Sequence, residues 1–185
     1  MLNKEIKLNG ILKIPSSNED LFFFLTKTII SQQISDIAAR TIWNRFLTEI
    51  SINKLIISNV KDKNELSHCL KKAGVSQRKI LCIIEVFEYI ISKKISSKQL
   101  NTECVQEIRK SFIFIRGIGN WTIDMLLIFF LKKQNIFPKN DLVISKVVDK
   151  IKASHDKELD LTKIFTPHLS IFSLHLWKMS HRVLK

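Results

Sequence analysis

The sequence predicts an all-α fold, on two observations. Apolar residues recur at spacings of three and four, which is the period of a helix with one buried face. Glycine and proline are scarce, with four Gly and three Pro in 185 residues, whereas a β-sandwich or a doubly wound sheet needs more residues that favour turns. We therefore expect one domain over residues 1–185, built from helices that short polar turns connect.

Local signals give approximate bounds for the helices. Ser17 or Asn18 is expected to cap the first helix, and Asp36 opens the second. Gly74 is expected to close a helix from the C′ position. The predicted helices cover residues 21–29, 36–46, 54–59, 64–73, 76–91, 102–114, 121–132, 142–153 and 167–183, with a lead-in at 1–17 and a polar linker at 92–101.

The charge balance favours a nucleic-acid partner. The chain has 30 Lys and Arg against 17 Asp and Glu, a formal net charge of +13. A basic surface binds nucleic acid by neutralising phosphates and releasing counterions. The alternative is a coding bias, because the sequence is rich in the Lys, Ile, Asn and Ser that AT-rich genomes encode. Charge alone therefore leaves the partner open.

Several classes of protein receive no support from the sequence. No apolar run reaches the roughly 18 residues of a membrane span, and the N-terminus lacks the layout of a signal peptide. Cys69, Cys82 and Cys104 form no Cys-x-x-Cys motif, so neither a zinc site nor an iron–sulfur cluster is expected. We expect three buried, reduced thiols in a cytoplasmic protein without a membrane partner.

A glycine pair between two apolar helices is the most informative segment. Gly117 and Gly119 are two of the four glycines in the chain. Glycine permits backbone turns that a Cβ would forbid, and it exposes amide groups at the start of the helix near Trp121. Those amides and the positive helix end form a site suited to phosphate. The alternative is an ordinary tight corner between helices, since no third glycine or preceding strand makes a dinucleotide motif.

An acidic residue follows this glycine pair by about twenty residues. Asp141 comes after one helix and one loop, a length that returns the chain towards the end of the first helix. Its carboxylate is then expected beside a cleft that the glycine turn borders. The alternative is purely structural, because Asp141 or Asn140 is also a good N-cap for the helix that starts at Leu142.

Four segments together resemble a known family. Residues 115–122 read Ile-Arg-Gly-Ile-Gly-Asn-Trp-Thr, similar to the Leu-Pro-Gly-Ile-Gly-x-Trp-Thr signature of helix–hairpin–helix DNA glycosylases. Residues 137–142 resemble the segment of that family that carries its catalytic aspartate. Residues 29–35 resemble its Ile-x-Gly-Gln-Gln-x-Ser segment, and residues 70–79 its Leu-x-x-x-Gly-x-Ser-x-x-Lys segment. The most similar branch is that of the alkylpurine, or 3-methyladenine, DNA glycosylases.

The resemblance implies both architecture and activity. The fold would have two helical lobes, about residues 30–100 and residues 1–29 plus 101–185, with a helix–hairpin–helix motif and a cleft between them. The activity would be monofunctional hydrolysis of the N-glycosidic bond of alkylated purines of the 3-methyladenine and 7-methylguanine type, in base excision repair. The partner would be duplex DNA with a damaged base, which must leave the stack to be reached. The resemblance also implies a monomer that requires no cofactor.

It also implies a role for particular residues. Asp141 would stabilise the oxocarbenium-like sugar or orient water, and the amides of Gly117 and Gly119 would hold a phosphate. Gln33, or Gln32 beside it, falls where the family inserts a side chain into the gap left by the extruded nucleotide. Backbone carbonyls of the hairpin would hold a monovalent cation, Na⁺ or K⁺; these belong to Ile113, Ile115 and Gly117.

Trp121 bears on the type of reaction. Bifunctional members of the family carry a lysine here, which forms a Schiff base with the sugar and nicks the strand. Trp121 therefore implies base excision without lyase chemistry, and its ring would be a wall of the base pocket that stacks on a cationic base. The alternative is a packing residue of the hairpin.

Other positions depart from the family or are open. Arg116 replaces the usual proline, where its charge could contact a phosphate, and Ser31 replaces the usual glycine. His168 and Leu169 stand where relatives often have an aromatic and a basic residue, so His168 is a candidate for the pocket. Lys146, about one turn past Asp141, is either a phosphate contact or a solvated lysine.

Two other functions stay open at this point. A non-catalytic helix–hairpin–helix module would need the hairpin and the charge but nothing specific at Asp141 or Trp121. A bifunctional glycosylase and lyase acting on oxidised bases would form a covalent adduct that borohydride traps.

Overall fold

The computed structural model describes residues 2–15, 19–52, 63–154 and 159–184, and every regular element within these ranges is a helix. The predicted all-α class is therefore confirmed. The helices are α1 (Leu2–Asn9), α2 (Leu21–Ser31), α3 (Asp36–Ile52), α4 (Lys63–Lys72), α5 (Gln77–Lys93), α6 (Ser97–Thr102), α7 (Val105–Ile113), α8 (Asn120–Met125), α9 (Leu142–Ala153), α10 (Leu161–Phe165) and α11 (Leu169–Val183). The predicted helix at 54–59 lies outside the described residues. None of the described helices is long and apolar enough to cross a membrane.

The chain forms two compact units. The central unit comprises Glu19–Thr122, and the terminal unit comprises Met1–Asn18 and Ile123–Lys185. The lobes predicted from the sequence, about residues 30–100 and residues 1–29 plus 101–185, stay a prediction.

The central unit is organised around α2, which is buried on nearly all sides. Asp20 is its N-cap and accepts a hydrogen bond from the Phe22 amide at 2.8 Å, so the predicted capping by Ser17 or Asn18 is wrong. The helix packs against α3 and α5, where Phe22 meets Phe87 edge-on at a ring-centroid distance of 5.4 Å. Burial of a side chain of this size contributes about 1.5–3 kcal/mol.

Glycine ends α4 as predicted. Gly74 has a φ of +90°, in the left-handed region. Its amide donates to Lys71 O at 3.0 Å, and the Val75 amide donates to Leu70 O at 3.1 Å. These two bonds form a Schellman motif, which satisfies carbonyls that the last helical turn leaves without partners. The chain is thereby redirected into α5.

The polar linker predicted at 92–101 is wrong at both ends, because α5 extends to Lys93 and α6 begins at Ser97. Ser96 caps α6, because its hydroxyl accepts a hydrogen bond from the Gln99 amide at 3.2 Å. Leu100 is the buried residue of this short helix. One apolar anchor is too weak a periodic signal to predict a helix. The helix expected to start at Thr102 begins instead at Val105, with Cys104 at its N-cap.

The terminal unit has its own core, between α9 and α11. The lead-in predicted at residues 1–17 is wrong over α1, which adds Leu2 to this core. Phe165 stacks on Phe172 at a centroid distance of 3.9 Å. The buried members of the core are Leu2, Ile144, Val147, Ile151, Leu161, Leu169, Phe172, Leu176, Met179 and Val183.

A loop between α8 and α9 is fixed to the start of α11. Helix α8 continues into a π-helical turn, Leu126–Phe130, and ends two residues before the predicted Lys132. Ser170 anchors the chain that follows: its hydroxyl donates to Lys133 O at 2.6 Å and accepts from the Ile136 amide at 3.1 Å. This anchoring defines the path of the backbone that leads to Asp141.

Candidate functional site

The hairpin between α7 and α8 is a compact turn in the central unit. The Ile115 amide donates to Phe112 O at 3.1 Å, and the Ile118 amide donates to Ile115 O at 3.0 Å. Ile115 and Ile118 are buried, whereas the glycines between and after them are exposed. The apolar side chains thus fix the turn from below and leave its backbone facing outward.

Gly117 is required for two separate reasons. Its φ is +103°, which L side chains rarely adopt, and a Cβ at this position would lie 2.9 Å from the Sγ atom of Cys82. Cys82 is a buried residue of α5. The hairpin therefore rests directly on α5 at this point, and any side chain would both strain the backbone and displace it.

Gly119 has a different role. Its φ is not positive, and a Cβ added here would meet nothing within 4 Å. Neither conformation nor internal packing requires a glycine at this position. A bare backbone immediately before α8 instead leaves room for a ligand to approach the amides at the start of the helix, which lack intrahelical partners.

The two glutamines after α2 have different environments. The side-chain amide of Gln32 donates to Gly117 O at 3.2 Å and to Thr122 Oγ1 at 2.8 Å. Gln33 is exposed and has a φ of +56°. Of the two candidates for insertion into DNA, Gln33 thus presents its side chain to solvent, whereas Gln32 is bonded to the hairpin.

Lys79 contacts the same turn from α5. Its ammonium donates to Ile30 O at 2.7 Å and to Gln32 O at 2.8 Å. Burial lowers the pKa of this lysine. In the sequence Lys79 is recognisable only as part of a family motif, and this contact is not predicted. A Lys that follows a helix N-cap by three residues carries no local sign of its distant carbonyl partners.

Asp141 begins α9 in the terminal unit and is 7% exposed. Its Oδ1 accepts from the Ile144 amide at 2.9 Å, and its own amide donates to Pro138 O at 3.0 Å. The capping interpretation is therefore confirmed for Asp141 rather than Asn140. The carboxylate of Asp141 thus accepts a hydrogen bond from an amide that would otherwise lack a partner at the start of the helix. The same bond fixes the orientation of the carboxylate group.

The other predicted residues are placed as follows. Arg116 is exposed on the hairpin of the central unit, and Trp121 is half-buried in the first turn of α8. In the terminal unit, Lys146 is exposed on α9, and His168 is exposed at the N-cap of α11. The structure thus joins Gln32 directly to the hairpin, and it places Asp141, Lys146 and His168 within the terminal unit.

The predicted cation ligands are backbone carbonyls of the hairpin, and two of them each accept one hydrogen bond. Ile115 O accepts from the Ile118 amide, and Gly117 O accepts from Gln32. Each carbonyl oxygen has two lone pairs, so one remains for a cation. With Ile113 O these atoms have the donor chemistry that Na⁺ or K⁺ takes, and this site stays a prediction.

The cysteines do not converge. Cys69 and Cys82 are buried as predicted, but Cys104 is exposed, at the N-cap position of α7. Among the residues that the structure describes, no three His, Cys, Asp or Glu side chains are grouped as metal ligands.

The known proteins that this chain is similar to agree with one family model. A family model described as HhH-GPD superfamily base excision DNA repair protein matches residues 26–166. The chain is 30% identical over 166 residues to DNA-3-methyladenine glycosylase 1 of Schizosaccharomyces pombe, covering 84% of this chain and 71% of that protein. It is 27% identical over 209 residues to the DNA-3-methyladenine glycosylase of Saccharomyces cerevisiae, covering 91% of this chain and 69% of that protein.

Solved structures show the same fold. The Schizosaccharomyces pombe 3-methyladenine DNA glycosylase, solved with abasic DNA, superposes with a TM-score of 0.77 at 24% identity over 97% of this chain and 90% of that one. The DNA-3-methyladenine glycosidase of Bacillus halodurans gives a TM-score of 0.71 at 25% identity, over 97% of this chain and 83% of that one.

Proposed function

The chain belongs to the HhH-GPD superfamily of base excision DNA repair proteins, and from this premise we propose that it is a monofunctional DNA glycosylase for alkylated purines. The reaction is hydrolysis of the N-glycosidic bond of a base of the 3-methyladenine or 7-methylguanine type in duplex DNA. The observation that carries this proposal is the 30% identity to a DNA-3-methyladenine glycosylase over 84% of the chain.

The chemistry of these substrates suits a site with one carboxylate. Alkylation at N3 or N7 gives the purine a positive charge, so the base already leaves readily as a neutral molecule. The main requirement is to stabilise the positive charge that develops on the sugar. We assign this role, or the orientation of the attacking water, to Asp141, whose carboxylate the α9 cap holds in place.

The absence of a lysine at position 121 argues for simple hydrolysis. A lyase needs an amine that attacks the sugar carbon and forms a Schiff base. Trp121 has no such nucleophile, and its ring is suited to stacking on a cationic base. We assign recognition of the damaged base to Trp121 and, separately, to His168.

Binding to DNA is assigned to the backbone and to exposed side chains. The amides at Gly117 and Gly119 would hold a phosphate, and Gln33 would fill the gap left by the extruded nucleotide. Arg116 and Lys146 would contact further phosphates. A monovalent cation at the hairpin carbonyls would strengthen the phosphate site by its charge. The proposal includes action as a monomer in the cytoplasm.

A panel of lesion-bearing duplexes tests this function. The purified protein is incubated with duplexes that carry 3-methyladenine, 7-methylguanine, oxidised bases or no lesion, and released bases are identified by mass. We expect release of alkylated purines, no strand nicking and no adduct with borohydride. An Asp141→Asn variant should release no base and still bind a duplex with an abasic-site analogue.

Two results would contradict the proposal. Binding to DNA without release of any base would identify a non-catalytic module. Release of oxidised bases together with a trapped adduct would identify a bifunctional enzyme.

A further inference from the structure

The turn that follows α2 is held from two directions by side chains distant in sequence. Lys79 reaches it from α5, and Gln32 reaches out of it to the hairpin. Gln33 directly follows the backbone carbonyl that Lys79 binds, and it is exposed. This arrangement makes the conformation of Gln33 depend on contacts made by its neighbours.

Lys79 satisfies the end of α2. The last carbonyls of a helix lack intrahelical donors and carry the negative end of the helix dipole. The ammonium of Lys79 donates to Ile30 O at 2.7 Å and to Gln32 O at 2.8 Å. Charge-assisted bonds of this length are among the stronger hydrogen bonds in proteins. Partial burial lowers the pKa of Lys79.

Gln32 links the turn to a closely packed part of the central unit. Its amide nitrogen bonds to Gly117 O and to the hydroxyl of Thr122, a residue that is 1% exposed. Gly117 in turn leaves no room for even a Cβ above Cys82. The position of Gln32 is therefore set by the hairpin and by α5 together.

Gln33 takes a backbone conformation that the turn must enforce. A φ of +56° in a residue with a side chain costs about 1–2 kcal/mol relative to a right-handed conformation. Such strain persists only where the surroundings determine it, and it is often found at functional positions. Here the carbonyl preceding Gln33 is the one that Lys79 holds.

We propose that Lys79 and Gln32 are positioning residues that fix Gln33 in register with the phosphate-binding hairpin, so that its side chain enters the duplex when the damaged nucleotide is extruded. The inference rests on the function proposed above, and it assigns to Lys79 a role in extrusion without contact to DNA. In this proposal Gln32 connects the turn after α2 to the hairpin and does not itself contact DNA.

A Lys79→Met variant tests the clamp, with Lys93→Met as the matched control. Lys93 is exposed on the same helix, so the control removes one charge without touching the turn. Single-turnover excision and nucleotide extrusion, read from 2-aminopurine placed beside the lesion, are measured for both variants. We expect Lys79→Met to slow both steps by about tenfold to a hundredfold. Its affinity for undamaged duplex should match that of the control.

Two further measurements separate positioning from folding. On a duplex in which the lesion faces an abasic site, so that no base pair opposes extrusion, Lys79→Met should recover most of its excision rate. In a double-mutant cycle, the variant with both Lys79→Met and Gln33→Ala should excise the base no more slowly than Gln33→Ala alone. Both changes remove the insertion of the Gln33 side chain, so their effects should not add. Gln32→Met keeps the lysine clamp, breaks only the link to the hairpin and should give the same pattern.

Additive losses in the cycle, or an unchanged extrusion rate in Lys79→Met, would overturn the inference. Thermal unfolding of each variant reports whether it is folded at the assay temperature, and Gln32→Met serves if Lys79→Met is not. Wild-type protein that releases no base would reject the proposed function. Wild-type release with unaffected variants would reject the positioning role alone.

Discussion

The carboxylate of Asp141 and the turn that carries Gln33 are both held by hydrogen bonds, but of opposite kinds. Asp141 bonds to backbone groups three residues away on either side. The turn depends on Lys79 and on a glutamine bond that spans 90 residues. The predicted catalytic carboxylate is thus positioned by one helix end, whereas the turn predicted to bind DNA is positioned by tertiary packing. Substitutions in the two regions should therefore behave differently.

The largest expected effect is on catalysis at Asp141, with little effect on folding. Asn is as good an N-cap as Asp, so Asp141→Asn should leave the free energy of unfolding nearly unchanged, whereas Asp141→Ala should lower it by about 1 kcal/mol. Both variants should lose at least about 10²–10³ in single-turnover excision, the effect of removing a preorganised electrostatic group. Denaturant unfolding and base release measure the two quantities. Equal excision by wild type and Asp141→Asn would remove Asp141 from the mechanism.

The glycines of the hairpin should separate folding from binding. Gly117→Ala introduces a Cβ 2.9 Å from Cys82 Sγ at a positive φ, so we expect a loss of about 1–3 kcal/mol in the free energy of unfolding together with weaker DNA binding. Gly119→Ala meets no atom within 4 Å and should leave stability unchanged. It should still weaken duplex binding by about tenfold, because the methyl group obstructs the phosphate.

Matched unfolding curves and duplex titrations of the two variants check this contrast. Gly117→Ala combined with Cys82→Ala should recover only part of the loss, since the Cβ that residue 82 keeps lies 3.1 Å from the added methyl group and the backbone strain remains. Wild-type affinity in Gly119→Ala would place the phosphate elsewhere.

A smaller effect is expected at Trp121. Loss of stacking on a base costs about 1–3 kcal/mol, so Trp121→Leu should reduce excision of cationic purines by roughly fivefold to 150-fold. Trp121→Phe keeps an aromatic face and should stay near the wild-type rate. Rates on 7-methylguanine duplexes measure this. If both variants were equally impaired, shape rather than stacking would explain the role of Trp121.

The smallest effect is a pH dependence of stability in the terminal unit. Burial, and secondarily the charge of Lys178, lowers the pKa of His175 below its usual value. Its Nδ1 lies 3.1 Å from the amide of Asn9 and must be unprotonated to accept a hydrogen bond. The unfolded chain therefore binds a proton more readily, and stability should decline as the pH falls through about 6.5.

Unfolding free energies between pH 7.5 and pH 5 measure this decline. His175→Asn, which keeps an acceptor, should flatten the curve. His181→Asn, at an exposed position of the same helix, controls for the substitution itself. A curve of unchanged slope in His175→Asn would assign the decline to other groups.

Features with local causes could be predicted from the sequence. Gly74 ends α4 and Asp141 caps α9 because the required bonds lie within a few residues. Helix α1 also had a local signal, with Leu2 and Ile6 one turn apart and Gly10 following in the left-handed region. That signal was too short to count as a helical period.

Features with distant causes could not be predicted. The sequence names Gln33, or Gln32 beside it, for insertion into DNA, and only the structure shows that Gln32 is bonded to Gly117 and Thr122. The sequence places Lys79 in a family motif, but only its two carbonyl partners in the structure show what its ammonium group binds. No pattern within one segment encodes a partner tens of residues away.

The Cys82 thiol, which packs against Gly117 of the hairpin, bears on how the protein resists alkylation. Burial, together with nearby Glu85, raises the pKa of Cys82 to about 11. Near pH 7.5 fewer than about one molecule in a thousand then carries the nucleophilic thiolate. Electrophiles that methylate purines also attack thiolates, yet the one sulfur that supports Gly117 is almost inert to them. Under methylating stress the exposed Cys104 should be modified first, while the support of the hairpin survives the agents whose damage this fold is proposed to remove.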